Sequence, residues 1–318
     1  MNILVTGSEG FVGSFLVPEL LKNNHSVVGI DRGDKTSTFN YLFFKIDLTE
    51  KLSLPKNKFD LVVHCAAAKG DWNILDEDFY RDNVVATKNL ITYLKTCEVK
   101  RLIHFSTVAV YSRAVTSGCE ETKTEPDSVY GITKLESEIL IRKYAKKVGL
   151  PTIVLRPSVI YGRQNFANMF NLIQQLSRSM PFQINPQGVV KSHVSANNVV
   201  DVVLKLLDHP KLFDGVKIFN LTERPYLDLE SIIFIICDEL KVNKPKINLP
   251  LWLVRIPFAL LGFVGKILNT DTGFTTDRLR KFSRSTHYTS ERLWTTLGKQ
   301  KYNSEDELRD MVKWYKTL

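Results

Sequence analysis

Residues 6–13 read TGSEGFVG, and this glycine-rich stretch lies between two segments with different hydrophobic patterns. An apolar run at 3–5 precedes it, and from Phe11 to Leu21 apolar residues recur at helical spacing. These patterns predict a strand, a tight glycine turn and a helix. Backbone amides at such a helix start can approach a pyrophosphate, because the helix dipole makes that end positive. The residues that this turn would bring to a dinucleotide are Gly7, Gly10, Phe11, Val12 and Gly13.

A second apolar run, at 26–30, closes in Asp31 and predicts the next strand. A carboxylate at this place accepts hydrogen bonds from the adenosine ribose hydroxyls, which favours NAD. Arg32 beside it could accept an extra phosphate, so NADP stays open as the alternative cofactor. A glycine turn that only tightens packing is the other interpretation of residues 6–13.

Strand and helix patterns continue to alternate along the first half of the chain. The further predicted strands are 42–46, 59–64, 101–106 and 152–156, and the predicted helices between them are 76–97 and 128–148. Strands separated by helices of this length must pair in parallel. We therefore expect an α/β fold of Rossmann type, a doubly wound parallel sheet, with a smaller, mainly helical C-terminal substrate lobe.

The regular alternation of strand and helix patterns ends after Gly162, where proline, asparagine and aromatic residues become more frequent. We expect a dinucleotide-binding domain over residues 1–162 and a substrate-binding lobe over 163–318. A helical pattern at 199–207 followed by a strand pattern at 216–221 suggests that the segment of about 192–221 returns to the main sheet. The remaining predicted helices are 166–178 and 229–240.

Composition narrows the classes of function. Of 318 residues, 44% are hydrophobic, which excludes disorder. The net charge of +9 is spread along the chain without a nucleic-acid motif, so we expect no nucleic-acid partner. The four cysteines lie far apart, which argues against a metal site. The N-terminus lacks a basic signal-peptide start, and cytoplasm is the expected compartment.

Tyr130 and Lys134 lie four residues apart on one predicted helix, so both side chains project from the same face. An ammonium one turn from a phenol favours the phenolate and lowers the tyrosine pKa from about 10 toward neutrality. Such a tyrosine can exchange a proton with a substrate hydroxyl or ketone. For an isolated pair, an exposed tyrosine above a solvated lysine would be the simpler interpretation, but the surrounding motifs favour catalysis.

These motifs extend over about the first 220 residues. They are TGSEGFVG at 6–13, DL at 47–48, HCAAA at 64–68, Asn83, HFSTVAVY at 104–111, YGITK at 130–134 and LRPSVIYG at 155–162. Together they resemble the extended short-chain dehydrogenase/reductase superfamily, in particular its nucleotide-sugar epimerases, dehydratases and ketoreductases. That resemblance implies a nicotinamide cofactor and a Thr107, Tyr130, Lys134 triad, with Tyr130 as the acid/base.

The resemblance also assigns contacts around the cofactor and the substrate. Lys134 would hold the nicotinamide ribose, and Asn83 would support the helix or a water near the lysine, or be purely structural. The other implied cofactor contacts are Asp47, Leu48, Ala66, Ala67, Ala68, Pro157 and Val159. The implied substrate contacts are Lys69, Ser158, Arg163 and Lys191.

Two departures from the family pattern bear on the reaction. The dehydratases carry an Asp-Glu pair after the active-site threonine, whereas this chain has Val108 and Ala109, which cannot exchange protons. Lys191 stands where many relatives have a diphosphate-binding arginine, and it offers a point charge without a bidentate fork. The sequence thus predicts a 4-epimerase or 4-keto sugar reductase like those of bacterial polysaccharide pathways. A 3β-hydroxysteroid-type dehydrogenase and a non-catalytic dinucleotide-binding protein are the alternatives.

Four further features carry weaker predictions. The apolar segment 250–268 contains a charge, prolines and glycines, so we expect no transmembrane helix but either packing in the lobe or peripheral membrane contact. The basic stretch 278–284 is expected to be a solvated face. His64 and His193 each stand alone in apolar settings, typical of core histidines. By analogy with relatives, helices 76–97 and 128–148 would form a homodimer interface.

Overall fold

The computed structural model describes residues 1–68, 75–112, 117–178, 182–183, 189–248 and 285–318. Its main feature is a seven-stranded sheet in which all neighbouring strands are parallel. The strands are β1 (Asn2–Thr6), β2 (Ser26–Asp31), β3 (Leu42–Lys45), β4 (Leu61–His64), β5 (Leu102–Phe105), β6 (Thr152–Pro157) and β7 (Val216–Leu221). Short strands outside this sheet are Lys58–Phe59, Glu98–Val99, Ser117–Gly118, Val159–Tyr161, Phe182–Gln183, His193–Ser195, Ile247–Asn248 and His287–Tyr288.

Helices connect the strands and continue to the C-terminus. They are α1 (Phe11–Lys22), α2 (Asp76–Tyr80), α3 (Ala86–Leu94), α4 (Val129–Val148), α5 (Asn168–Ser177), α6 (Ala196–Asp208), α7 (Leu229–Leu240), α8 (Glu291–Leu297) and α9 (Ser304–Tyr315). A π-helical turn, Arg81–Val85, joins α2 to α3, and 3₁₀ turns occupy Val108–Val110 and Pro210–Leu212. The helix expected over 76–97 is therefore interrupted by this turn.

The strand order across the sheet is β7-β6-β5-β4-β1-β2-β3. The chain moves outward in one direction from β1 to β3 and in the other from β4 to β7, so the order reverses between β1 and β4. Thr6 at the end of β1 is in register with Ile30 of β2 and His64 of β4. Ligands of open α/β sheets bind outside the carboxyl ends of the strands at such a switch point.

Two hydrophobic clusters cover the two faces of the sheet. Residues of α1, α6 and α8, such as Leu16, Val203 and Trp294, pack with sheet residues on one side. Residues of α3 and α4, such as Leu90 and Ile141, pack on the other. Because both faces are covered, the strands are mostly apolar, and every residue of β4 and β5 is buried, including His64 and His104.

The chain divides into two compact units. The first comprises Met1–Ile160, His193–Glu223 and Tyr288–Tyr302, and the second comprises Tyr161–Ser192, Arg224–His287 and Asn303–Leu318. In the second unit, α5, α7 and α9 form their own hydrophobic core around Ile173, Ile236 and Met311. The expected α/β Rossmann-type class is confirmed. Residues 288–302 group with the sheet, although the expected division placed them in the lobe.

Candidate active site

The glycine turn after β1 is built by close backbone approaches. Gly7 has a φ of +72°, and a Cβ there would lie 2.8 Å from the amide nitrogen of Ala66. A Cβ on Gly13 would lie 2.1 Å from the carbonyl oxygen of Gly7. Both positions therefore require glycine. We call this turn, residues 7–13 at the switch point of the sheet, the glycine cradle.

The cradle opens onto the start of α1. Its N-cap is Gly10, which provides no side-chain cap, and the first turn carries no acidic residue. The amides at this end are thus left for an anion, and the helix dipole favours negative charge there. Phe11 and Val12 form this first turn. The residues present fit the pyrophosphate of a dinucleotide.

Asp31 ends β2 beside the turn. One of its carboxylate oxygens accepts the amide of Glu9 at 3.0 Å, and the other accepts the amide of Gly33 at 3.0 Å. Each oxygen retains a second lone pair, which suits ribose hydroxyls. Arg32, which was considered as a phosphate ligand, instead donates to the buried Asp82 carboxylate at 2.7 Å.

Two further cofactor candidates, Asp47 and Leu48, follow β3. The Asp47 carboxylate accepts the Thr49 amide at 2.8 Å and so closes a turn. Leu48 is buried, and its carbonyl accepts the side-chain amide of Asn89 on α3 at 2.9 Å. These contacts hold the segment after β3 against the helix that follows β4.

Asn83 links the end of β4 to α4 from within the π-helical turn. Its side-chain oxygen accepts the Ala68 amide at 2.9 Å, and its side-chain nitrogen donates to the Thr133 hydroxyl at 3.0 Å. Both ends of the amide are therefore used to join the Ala66–Ala68 segment to α4. Asn83 thus acts as a brace in this structure, and π-helical turns of this kind frequently occur at functional sites.

Thr107 lies two residues after the end of β5 and is 8% exposed. Its hydroxyl oxygen accepts the Ala109 amide at 3.1 Å and so starts the 3₁₀ turn. The hydroxyl hydrogen can still be donated to a reacting oxygen. The neighbouring Ser106 hydroxyl donates instead to the buried Glu138 carboxylate at 2.8 Å.

Helix α4 starts beside this 3₁₀ turn. Ser128 caps it by accepting the Gly131 amide at 3.1 Å. A Cβ on Gly131 would lie 2.3 Å from the carbonyl oxygen of Ala109. The missing side chain thus allows the first turn of α4, which carries Tyr130, to reach the turn that follows Thr107.

Lys134 brings a positive charge to the end of β5. Its side chain is buried, and the ammonium donates to the carbonyl oxygen of Phe105 at 2.6 Å. Burial lowers the pKa of Lys134 to about 8, and the charges of Cys65 and Glu138 oppose that shift. Tyr130, one turn earlier, packs edge-on against the ring of Phe79.

Two side chains that the sequence reasoning did not assign, Glu138 and Arg156, support this arrangement. The Arg156 guanidinium donates to both carboxylate oxygens of Glu138, at 2.7 and 3.0 Å. It also donates to the Tyr111 hydroxyl at 2.8 Å. The sequence contained one indication of this role for Glu138. It lies four residues after Lys134, which lies four after Tyr130, so all three side chains share one helix face.

His64 is a buried, hydrogen-bonded core histidine, as expected, but it does not stand alone in an apolar setting. Its ring lies 5.2 Å from that of His104 and forms hydrogen bonds with the hydroxyls of Thr6 and Thr87. Burial, with a contribution from the Lys134 charge, lowers the pKa of His64 to about 3 and lowers that of His104 as well. Neutral rings fit this position, and no metal-binding group of three or more side chains occurs among the described residues.

Candidate substrate residues fall in both units. In the first unit, Ser158 follows β6 and its hydroxyl donates to the Leu221 carbonyl at 3.3 Å, while Val159 is exposed and Pro157 is buried. In the second unit, the Arg163 guanidinium forms a two-point ion pair with Asp310 of α9.

Lys191 also belongs to the second unit, and burial lowers its pKa to about 8. Lys69, the apolar segment 250–268 and the basic stretch 278–284 lie outside the described residues. Within the described chain, none of the helices has the length and apolar character needed to span a bilayer.

A parallel sheet in this order, with a glycine cradle at its switch point and an open helix start above it, defines a Rossmann-type dinucleotide-binding protein. The model of the NAD dependent epimerase/dehydratase family matches residues 3–222. The chain belongs to this family. Its resemblance to the extended short-chain dehydrogenases is thereby confirmed, as are its expected enzymatic nature and its cofactor, NAD.

Individual relatives agree with this assignment. The chain is 32% identical over 232 residues to the UDP-glucose 4-epimerase of Vibrio cholerae, covering 68% of this chain and 69% of the relative. It is 25% identical over 294 residues to the N-acetyl-alpha-D-glucosaminyl-diphospho-ditrans,octacis-undecaprenol 4-epimerase of Escherichia coli O157:H7, covering 90% and 87%. The UDP-glucuronic acid 4-epimerase of Bacillus cereus, solved with NAD, shares the fold: the TM-score is 0.78 at 22% identity, covering 100% of this chain and 99% of that one.

Proposed function

We propose that this chain is an NAD-dependent 4-epimerase of a nucleotide sugar. The observation that carries the proposal is the placement of Lys134 on the Phe105 carbonyl at the end of β5, two residues before Thr107. The glycine turn follows the carboxyl end of β1, and the carboxyl end of β5 lies at the same edge of the parallel sheet. The proton-transfer groups and the nicotinamide would therefore meet at this edge. The sugar-epimerase relatives support this substrate class over a sterol.

NAD, held by the residues of the glycine turn and Asp31, would supply hydride transfer from and back to the sugar carbon. The chain supplies the proton transfer: the Tyr130 phenolate accepts the proton of the sugar hydroxyl, and Thr107 donates a hydrogen bond to the reacting oxygen. The Lys134 ammonium favours the ionised phenol and would hold the ribose hydroxyls. Asn83 joins the Ala66–Ala68 segment to α4 and so fixes the position of the helix that carries Tyr130 and Lys134.

The remaining cofactor contacts in this proposal follow the family pattern. They are Gly7, Gly10, Phe11, Val12, Gly13, Asp31, Asp47, Leu48, Ala66, Ala67, Ala68, Pro157 and Val159. Arg32 is paired with Asp82. In this proposal it lies beside the ribose-binding Asp31 and does not bind a 2′-phosphate.

Dehydration is disfavoured by the 3₁₀ turn after Thr107. Val108 and Ala109 occupy this turn, and neither side chain can exchange a proton. Epimerisation oxidises the sugar at C4 and then reduces the ketone from the other face, and it needs no acid or base besides Tyr130. A 4-keto sugar reductase would use the same triad in one direction only, and it is the alternative reaction.

On the substrate side, we propose that Lys191 and Ser158 meet the diphosphate and the sugar. Arg163 would have to exchange Asp310 for substrate oxygens, so we assign it a secondary role. Lys69 completes the proposed set.

The test is incubation of the purified chain with a panel of UDP- and dTDP-hexoses without added cofactor, followed by NMR of the C4 stereochemistry. We expect inversion at C4 with no net change in the NAD redox state. Stoichiometric consumption of reduced cofactor with a 4-keto sugar would establish the reductase instead. Turnover of a sterol, with no sugar turned over, would overturn both sugar reactions.

A second candidate concerns the carrier of the sugar. The undecaprenol-linked 4-epimerase of Escherichia coli O157:H7 aligns over more of this chain than the Vibrio cholerae enzyme does. The same triad could therefore act on a sugar joined through diphosphate to a polyprenol, at the surface of a membrane. Parallel assays with a soluble UDP-sugar and a short-chain polyprenyl diphosphate sugar distinguish the two carriers.

We also propose that the chain forms a homodimer through α2, α3 and α4. Ile132 and Ile139 are exposed and lie seven residues apart on α4, and Tyr80 is exposed at the end of α2. Light scattering of the wild type and of an Ile132→Lys, Ile139→Lys variant tests this proposal, since the variant is expected to be monomeric.

A further inference from the structure

Glu9, inside the glycine turn, has an unusually large set of hydrogen-bond donors. One carboxylate oxygen accepts the Thr36 amide at 2.9 Å, the Thr36 hydroxyl at 2.8 Å and the Ser37 amide at 3.0 Å. The other accepts the Ser37 hydroxyl at 2.9 Å and the hydroxyl of Tyr41. Five donors from the segment between β2 and β3 thus converge on one carboxylate.

This carboxylate is ionised over the whole functional pH range. Burial acts to raise the pKa of Glu9, but the hydrogen bonds from Tyr41, Thr36 and Ser37 outweigh burial and lower it to about 2. A full negative charge is therefore fixed between the glycine turn and the segment after β2.

The charge lies next to the expected position of the adenosine ribose. The backbone amide of Glu9 donates to the Asp31 carboxylate, which is the acceptor that the family pattern assigns to the ribose hydroxyls. The 2′-phosphate of NADP would extend from one of these hydroxyls. Glu9 and the donors around it therefore adjoin the part of the ligand that distinguishes the two dinucleotides.

The donors are of the kind that binds phosphate. Two successive backbone amides and three hydroxyls form a compact, electropositive group without a carboxylate of their own. Arg32 and Lys45 are paired with carboxylates, Asp82 at 2.7 Å and Asp34 at 2.6 Å. The Lys35 ammonium lies over the Tyr41 ring, 4.4 Å from its centroid. The Glu9 carboxylate is the anion that this group of donors holds.

We propose that Glu9 is a specificity-determining residue that selects NAD by occupying, from within the chain, the donor group that would otherwise accept the 2′-phosphate of NADP. The selection has two physical parts. The carboxylate uses the donors, and its charge repels a phosphate placed beside it. The inference depends on dinucleotide binding alone and holds whether the chain is an epimerase or a reductase.

The test measures dissociation constants of NAD and NADP by calorimetry on the full chain freed of bound nucleotide. In Glu9→Gln and Glu9→Ala variants, we expect NADP affinity to rise by about tenfold or more relative to NAD. Glu19→Gln is the matched control, because it removes one carboxylate charge from the exposed side of α1. Its ratio of affinities should equal that of the wild type.

A second measurement separates the proposed role from simple support of the loop. Hydrogen exchange at the amides of Thr36 and Ser37 should accelerate in Glu9→Ala and slow again with NADP but not with NAD. Adding Thr36→Val and Ser37→Ala to Glu9→Ala should remove the gain in NADP affinity.

An unchanged ratio of affinities in both Glu9 variants, or an equal loss for both dinucleotides, would overturn the proposal. If Glu9→Ala does not fold, the Glu9→Gln ratio decides the question, since glutamine keeps the size of the side chain and removes its charge.

Discussion

Glu138 of α4 and Arg156 of β6 form an ion pair in which both side chains are buried, at 0% and 2% exposure. Glu138 also accepts the Ser106 hydroxyl, and Arg156 also donates to Tyr111. The pair therefore joins α4 to the ends of β5 and β6. Glu138 lies one helical turn after Lys134, so the pair fixes this part of α4 against the sheet.

Breaking this pair on one side should be costly. Glu138→Leu leaves a buried guanidinium without its counter-charge, and we expect a loss of about 3–5 kcal/mol in the free energy of unfolding. The Glu138→Leu, Arg156→Leu double variant should lose less than the sum of the two single variants. Urea unfolding of the four proteins measures this, and strict additivity would contradict the coupling.

Removing the Tyr130 hydroxyl should abolish proton transfer while leaving the fold intact. We expect Tyr130→Phe to lower kcat by about 10²–10⁴-fold with little change in NAD affinity, because only the reacting proton loses its partner. Tyr80→Phe, an exposed tyrosine on α2, is the control and should keep full turnover. Wild-type kcat in Tyr130→Phe would end the catalytic assignment.

Turnover should fall at alkaline pH because of Lys134. Its pKa lies near 8 in the folded chain, so the ammonium that favours the phenolate is lost above that pH. In Lys134→Arg the charge persists, and the alkaline decrease in kcat should disappear from the residual activity.

The lowered pKa of Lys134 should make the protein more stable as the pH rises, although turnover falls. Between about pH 8 and 10.5 the unfolded chain binds the lysine proton that the folded chain has released, so the free energy of unfolding rises with pH there. Lys191 has the same lowered pKa and contributes in the same direction, so Lys134→Met should show a smaller rise than the wild type. An undiminished rise would assign it to groups other than Lys134.

Gly131 should tolerate no side chain. An added Cβ would lie 2.3 Å from the Ala109 carbonyl oxygen, so α4 or the turn after Thr107 would have to shift. We expect Gly131→Ala to cost about 1–3 kcal/mol and to lower kcat more than NAD affinity. Gly33→Ala is the stability control, since its nearest contact would be an ordinary 3.5 Å.

Lys191 should control substrate affinity rather than turnover. Burial lowers its pKa to about 8, so its charge, and with it the attraction for a diphosphate, is lost above that pH. We expect KM to rise above pH 8 in the wild type and to remain flat in Lys191→Arg, with kcat unchanged by the substitution. A KM profile that Lys191→Arg leaves unaltered would remove this residue from the substrate site.

Most of the sheet could be predicted because its signals are local. Seven apolar runs of strand length were found within one or two residues of their observed ends, and β7 matches at both ends. The helix over 76–97 was predicted as continuous, since its apolar periodicity does not show the π-helical turn that contains Asn83. That turn is accompanied by contacts to Ala68 and Thr133, which are remote in sequence.

The sequence alone determined the glycine turn, the order of strands and helices, and the four-residue spacing of Tyr130 and Lys134, because each depends on neighbours within a few residues. Only the tertiary structure decided which charged groups meet. Glu9 binds residues 36–41, Arg32 binds Asp82, and Arg163 binds an aspartate 147 residues away. Such pairings depend on how strands and helices pack, and local hydrophobic periodicity carries no information about them.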